Sequence, residues 1–218
     1  MKKIFCDNPY QHTLHTSVAS IDGVEVIFNE TIAYSFAGGQ ESDKATVNGI
    51  PILNSRREEN LIYYTLPEDH GLTLGNPVTM VIDWARRNKL MRLHFAAEII
   101  LEIVYQHFHL EKVGAHIAEH KSRIDFKCDE NISQHFDAIV AIYNEIIKND
   151  YPIEKGWDDI KNQRRYWKIE GFAKVQCGGT HVNTTSEVGY VKLKRERPGK
   201  GIERIEIRLL DESTPPAS

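Results

Sequence analysis

Short runs of β-branched and aromatic residues alternate with turn signals through the first third of the chain. The runs fall at 24–28, 47–52, 61–65 and 78–82, and Asp22-Gly23, Gly38-Gly39 and Asn48-Gly49 lie between or beside them. Asp-Gly and Asn-Gly pairs suit two-residue hairpin turns, because these residues tolerate a left-handed backbone. Strands this short and closely spaced predict a compact, barrel-like β domain over residues 1–84. The period changes at Asp83-Trp84. Residues 90–107 hold no Gly or Pro, and Phe95, Ile99, Ile103 with Ala96, Ile100, Val104 form a broad apolar side, predicting a long helix. Residues 114–126 read as a strand pair, and Ser133 as the N-cap of a second helix that ends before Pro152. From Tyr166 strand-like runs return, at 167–169, 174–175, 189–193 and 202–210. The expected fold is α+β: the small barrel-like domain, then a two-layer domain over 85–212 with helices packed on an antiparallel sheet. Residues 213–218 are polar and proline-rich, and are expected to form a loose tail.

Composition adds limits more than direction. The chain has 218 residues, 41% hydrophobic and 27% charged, enough for a sizeable core. No apolar run approaches the roughly 20 residues that cross a bilayer, and the first residues turn polar too soon for a signal-peptide core, so the expected compartment is the cytosol. Cys6, Cys128 and Cys177 show no pairing pattern and are expected as free thiols. A net charge of −4 argues against a generic nucleic-acid coat, yet from Lys161 to Arg208 there are 12 Lys and Arg against 5 Asp and Glu. That block can favour phosphates, or can simply be the solvated face of a sheet.

The densest chemistry lies in Cys177-Gly178-Gly179-Thr180-His181, a thiol and an imidazole four positions apart around two glycines. Upstream, His94 and Glu98 sit one helical turn apart on a common flank and can reach one point. Together they make a candidate ligand set for zinc, which accepts sulfur, nitrogen and carboxylate donors. His116 and His120 share the same gap, but on a strand four residues span about 13 Å, too far for one ion.

In order and spacing, His94-Phe95-Ala96-Ala97-Glu98, Cys177-Gly178-Gly179-Thr180-His181 and the segment from Ala37-Gly38-Gly39-Gln40 to Asp43 resemble the freestanding alanyl-tRNA editing proteins. The resemblance covers nearly the whole length. It implies an editing domain shared with alanyl- and threonyl-tRNA synthetases, hydrolysis of mischarged tRNA carrying serine or glycine in place of alanine, and bound zinc. It also implies roles for particular residues. His94, Cys177 and His181 are implied metal ligands and Gln40 an implied catalytic residue, while Glu98, on its own chemistry, is a candidate metal ligand or catalytic base. Thr31, as reader of the serine hydroxyl, with Gly38, Gly39, Gln40 and Thr180, would contact the aminoacyl end, while Lys200 and Arg204 would meet tRNA phosphates. A second site of this kind makes physical sense, since a pocket for a small apolar side chain rejects an added hydroxyl only ~10²-fold.

Three positions depart from the family pattern. Glu98 stands where a second His is usual, Ala37 replaces Gly, and Glu41 replaces Pro. Glu98 is therefore read either as a fourth ligand, which with a thiolate would neutralise a divalent ion, or as a general base beside a three-ligand site. Gly38-Gly39-Gln40 also resembles the tip of peptide-release factors, a reading disfavoured by the acidic Glu41 and Asp43. Two rivals remain at this level: a catalytically silent RNA-binding module, and a zinc hydrolase of small esters or amides.

Overall fold

A computed structural model describes residues 1–210, so the expected tail and the last two residues of the second expected domain lie outside the described residues. The architecture is α+β, and contacts divide the chain into two compact units, Met1–Asn88 and the part from Lys89 onward.

The first unit is built from β1 (Lys2–Lys3), β2 (Thr13–Asp22), β3 (Glu25–Phe28), β4 (Glu30–Thr31), β5 (Ala45–Val47), β6 (Ile50–Pro51), β7 (Asn54–Glu58), β8 (Leu61–Thr65) and β9 (Pro77–Ile82). Seven of these form one sheet in the order β6-β5-β9-β2-β3-β8-β7. The long strand β2 explains its curl: residues 13–17 pair with β9, residues 18–22 with β3, and the register shifts between Val18 and Ser20. Phe28, Val47, Ile62, Tyr64 and Met80 are among the buried residues inside. The Asn48-Gly49 turn is as expected, with φ of 51° and 83° at its two positions. Four strands of this unit escaped the sequence pattern, the two-residue β1 and β4 and the longer β2 and β7. β2 buries only Leu14 and Val18 among ten residues, and β7 presents no fully buried position.

Two consecutive arginines tie the glycine-rich segment down. Arg86 Nη2 meets Glu41 Oε2 at 2.7 Å. Arg87, fully buried, donates to Pro9 O at 2.8 Å, to Ile32 O at 2.6 Å and through Nε to Asp43 Oδ1 at 2.9 Å. Asp43 Oδ2 also accepts the Tyr34 N–H at 2.7 Å, which closes the turn. The acidic residues of this motif are thus neutralised internally.

The helix α1 (Trp84–Phe108) starts where expected, with Asp83 Oδ1 capping the Arg86 N–H at 3.0 Å. Its centre is buried almost all round, from Leu90 and Met91 through Phe95, Ala96, Ile100 and Val104. The remaining elements are β10 (Glu111–Ile117), β11 (Ser122–Lys127), α2 (Phe136–Lys148), β12 (Glu154–Asp159), β13 (Arg164–Ile169), β14 (Ala173–Gln176), β15 (Val191–Gly199) and β16 (Ile202–Leu209). They form antiparallel sheets in the orders β10-β11-β16-β15 and β12-β13-β14. The cap of the second helix differs from expectation. A 3₁₀ turn, Ile132–His135, precedes α2, and Asn131 Oδ1 accepts the Ser133 N–H at 3.0 Å, so Asn131 caps that turn, Ser133 lies inside it, and α2 itself starts after His135 without a side-chain cap. Among the described residues no helix is long and apolar enough to cross a membrane.

One face of the four-stranded sheet is a lattice of alternating charge. Cross-strand register aligns Lys194, Glu206 and Arg123 in one row, and Glu196, Arg204 and Asp125 in the next. Arg204 Nε lies 2.6 Å from Asp125 Oδ1 and its Nη1 3.5 Å from Glu196, while Lys121 and Arg208 both reach the buried Glu206, at 2.5 and 2.8 Å.

Candidate functional site

The second unit brings α1 and the loop after β14 together. α1 supplies His94, only 3% exposed, and Glu98 one turn later. The loop begins as β14 ends: the Cys177 N–H donates to Arg165 O at 3.0 Å, and Arg165 Nη1 donates to Gly179 O at 3.1 Å. Neither Gly178 nor Gly179 has a positive φ, so the bend does not use the left-handed freedom of glycine.

Cys177 Sγ lies 3.5 Å from His94 Nε2 and 3.2 Å from His181 Nε2. All three donor atoms fall within 4.8 Å of one another. Sulfur and nitrogen bound tetrahedrally to one zinc would be about 3.5 Å apart, given bonds of roughly 2.3 and 2.0 Å. Electrostatics point the same way. Burial pushes the His94 pKa down, but the Cys177 sulfur and the Glu98 carboxylate outweigh it and raise it to about 10. The pocket between sulfur and carboxylate thus calls for positive charge. His181 is held well below its ordinary value by burial, then by His94 and Arg165, so it stays neutral with a lone pair to donate. Its Nδ1 has no hydrogen-bond partner among the described residues, and edge-on packing against His94 and Phe95, at 5.1 and 5.5 Å, sets the ring. An N, S, N donor set with two buried imidazoles, one of them neutral, and a half-buried sulfur fits a tetrahedral, borderline-soft divalent ion.

Glu98 adjoins this group without joining it. Its Oε1 is 3.4 Å from His94 Nε2 and 3.8 Å from Cys177 Sγ, while Oε2 accepts the Trp167 indole N–H at 2.8 Å. Burial raises the Glu98 pKa, but the bonds to His94 and Trp167 outweigh this and hold it below the usual carboxylate range. His116, on β10, and His120, beyond it, contribute nothing to the group.

Comparison with known proteins gives the family. Residues 167–206 match the family described as the threonyl and alanyl tRNA synthetase second additional domain. The alanyl-tRNA editing protein AlaX-M of Pyrococcus horikoshii is 30% identical over 213 residues, covering 95% of this chain and 97% of that protein. This chain belongs to the alanyl-tRNA editing protein family. Alanine–tRNA ligases of Methanococcus maripaludis and Staphylothermus marinus are 28% and 29% identical over 93% and 94% of this chain. The chain spans about a quarter of the length of those ligases, 25% in each case.

The other positions singled out in this family member are placed as follows. Gly38 and Gly39 form a two-residue turn with φ of 59° and 86°, closed by Gln40 N to Ala37 O at 3.0 Å. Gln40 is fully buried, unlike the exposed glutamine of a probing tip. Thr31 is also buried; its Oγ1 accepts the Ala33 N–H at 3.1 Å and pairs with the Tyr64 hydroxyl at 2.7 Å. Thr180 is buried between Cys177 and His181 in sequence. Lys200 is exposed in the β15–β16 turn, whereas Arg204 is committed to Asp125. The sequence reading missed Arg165 and Trp167. Both face inward on β13, and the signal was an alternation of Arg165, Trp167 and Ile169, with an arginine at a buried strand position.

Proposed function

We propose that the protein is a trans-editing hydrolase that releases serine from mischarged tRNA for alanine, with zinc held by His94, Cys177 and His181. Family membership supports the reaction class, and one observation carries the site: three donors separated by up to 87 positions in sequence gather within 4.8 Å. Bound zinc would supply a Lewis acid for the ester carbonyl and a water of lowered pKa. Glu98 Oε1, beside the donors and outside their group, accepts the proton of the attacking water. Buried Thr180, beside His181 in sequence, excludes bulk water, and Thr31, in the first unit, is the proposed reader of the serine hydroxyl. Lys200 meets a tRNA phosphate, a contact whose affinity falls as salt rises.

The test is deacylation of seryl- and glycyl-tRNA for alanine by the purified protein, with elemental analysis beside it. Glu98→Gln is expected to keep one equivalent of zinc while losing about 10²–10⁴ in rate, the range for a general base. Loss of zinc in that variant would make Glu98 a ligand instead. Thr31→Val is expected to cost about 1–2 kcal/mol of stability, since it strands the Ala33 N–H, and to slow seryl-tRNA more than glycyl-tRNA. Equal slowing of both substrates would remove Thr31 as the reader. RNA affinity without any hydrolysis would favour a silent binding module. Cleavage of small esters with no salt-dependent tRNA binding would favour the other rival.

A further inference from the structure

The site contains one hydrogen bond whose chemistry constrains its neighbour. Trp167 is wholly buried in β13, the middle strand of its sheet, with its ring edge-on to Phe95 at 5.0 Å and 68°. Packed in this way the indole has little freedom to turn. Its Nε1–H points at Glu98 Oε2, 2.8 Å away, and leaves Oε1 as the oxygen beside His94 and Cys177. Two residues earlier the same strand binds the other half of the site, through Arg165 O to the Cys177 N–H and Arg165 Nη1 to Gly179 O.

An indole nitrogen is a donor only. It therefore asks for an acceptor at position 98, and the two candidate residues answer differently. A carboxylate accepts with one oxygen and keeps the second, unprotonated and sharing the negative charge, for the donor group. A neutral histidine that accepts on one ring nitrogen carries its proton on the other. That second nitrogen would then face the Cys177 side with a hydrogen instead of a lone pair, and could not serve as a metal ligand. The same bond orients the carboxylate: with Oε2 turned to the indole, Oε1 is the oxygen that faces the donors.

We propose that Trp167 is a positioning residue that specifies glutamate at position 98, holding Oε2 so that only Oε1 faces the donors and barring a histidine there from ligation. The inference rests on the proposed metal-dependent reading for its consequence, but the Trp167–Glu98 pairing itself does not depend on a bound ion.

Two measurements test it. In the metal-free protein, the indole N–H proton of Trp167, identified as the one of three such resonances lost in Trp167→Phe, should move upfield in Glu98→Ala. An unmoved resonance overturns the pairing whether or not the protein is an enzyme. Zinc affinity by chelator competition is then compared for Glu98→His and for Glu98→His combined with Trp167→Phe. The double variant should bind about 10–100-fold more tightly, the range seen when groups behind a metal ligand change. The visible bands of its cobalt form should also differ from those of the single variant. In the Glu98 background, Trp167→Phe should lower kcat by a similar ~10–100-fold factor with little change in KM. Equal zinc affinity of the two histidine variants would overturn the specifying role. Failure of the wild type to deacylate seryl-tRNA would instead count against the proposed reaction, leaving the proton shift to decide on Trp167.

Discussion

Cys177→Ala is expected to lose zinc binding and at least ~10³ of the proposed deacylation rate, the kinetic equivalent of several kcal/mol of charge stabilisation by a bound cation. The expectation comes from where the sulfur sits. It is 3.5 Å from one imidazole nitrogen and 3.2 Å from the other, so it joins the helix half of the site to the loop half. It is also the only thiol in the group, and a soft donor is what favours zinc over hard cations here. The backbone need not suffer, because the Cys177 N–H bond to Arg165 O survives in alanine. Elemental analysis and single-turnover deacylation, with an unfolding curve as control, separate lost chemistry from lost fold. A variant that kept one equivalent of zinc and the parental rate would sink the site.

Asp43→Ala should have the largest effect on stability, about 3–5 kcal/mol, because it leaves the Arg87 guanidinium buried without its counter-charge. Arg87 would retain Pro9 O and Ile32 O, two neutral acceptors that do not replace a carboxylate. The Tyr34 N–H would lose its partner as well, so the turn carrying Gly38 to Gln40 should loosen and activity should fall with stability. Urea unfolding checks the first expectation and deacylation the second. Replacing both partners with apolar residues, Asp43→Leu with Arg87→Met, should recover most of the loss, since an ion pair contributes little beyond a well-packed apolar pair. A loss below about 1 kcal/mol for Asp43→Ala would mean that water reaches the pair.

Periodic segments were legible in the sequence, and segments organised by partners were not. α1 announced itself through a long run without Gly or Pro, and the Asn48-Gly49 turn through the conformational tolerance of its residues. β2 and β7 did not, because a strand that buries one or two side chains carries almost no alternation, and its place is set by the strands beside it. Ser133 does not cap the second helix because a 3₁₀ turn, capped by Asn131, precedes α2, an insertion invisible to spacing alone. In the site, residue type and the four-residue gaps identified His94, Cys177 and His181. The part played by Trp167 was hidden, since a buried tryptophan in a strand reads as core until the atom opposite its nitrogen is known. The basic block was misleading in the opposite sense. Arg195 binds Glu203 at 2.5 Å and Arg204 binds Asp125 at 2.6 Å, so a count of charges overstated what is offered outward.

The chequered face of the four-stranded sheet has an evolutionary corollary. Asp125 alone engages both Arg123 and Arg204. A single mutational step at that position would free the Arg123 guanidinium and leave Arg204 with Glu196 alone, 3.5 Å away, tilting a self-quenched mosaic toward polyanions. The lattice therefore stores latent positive charge, held in check at its centre by one shared carboxylate.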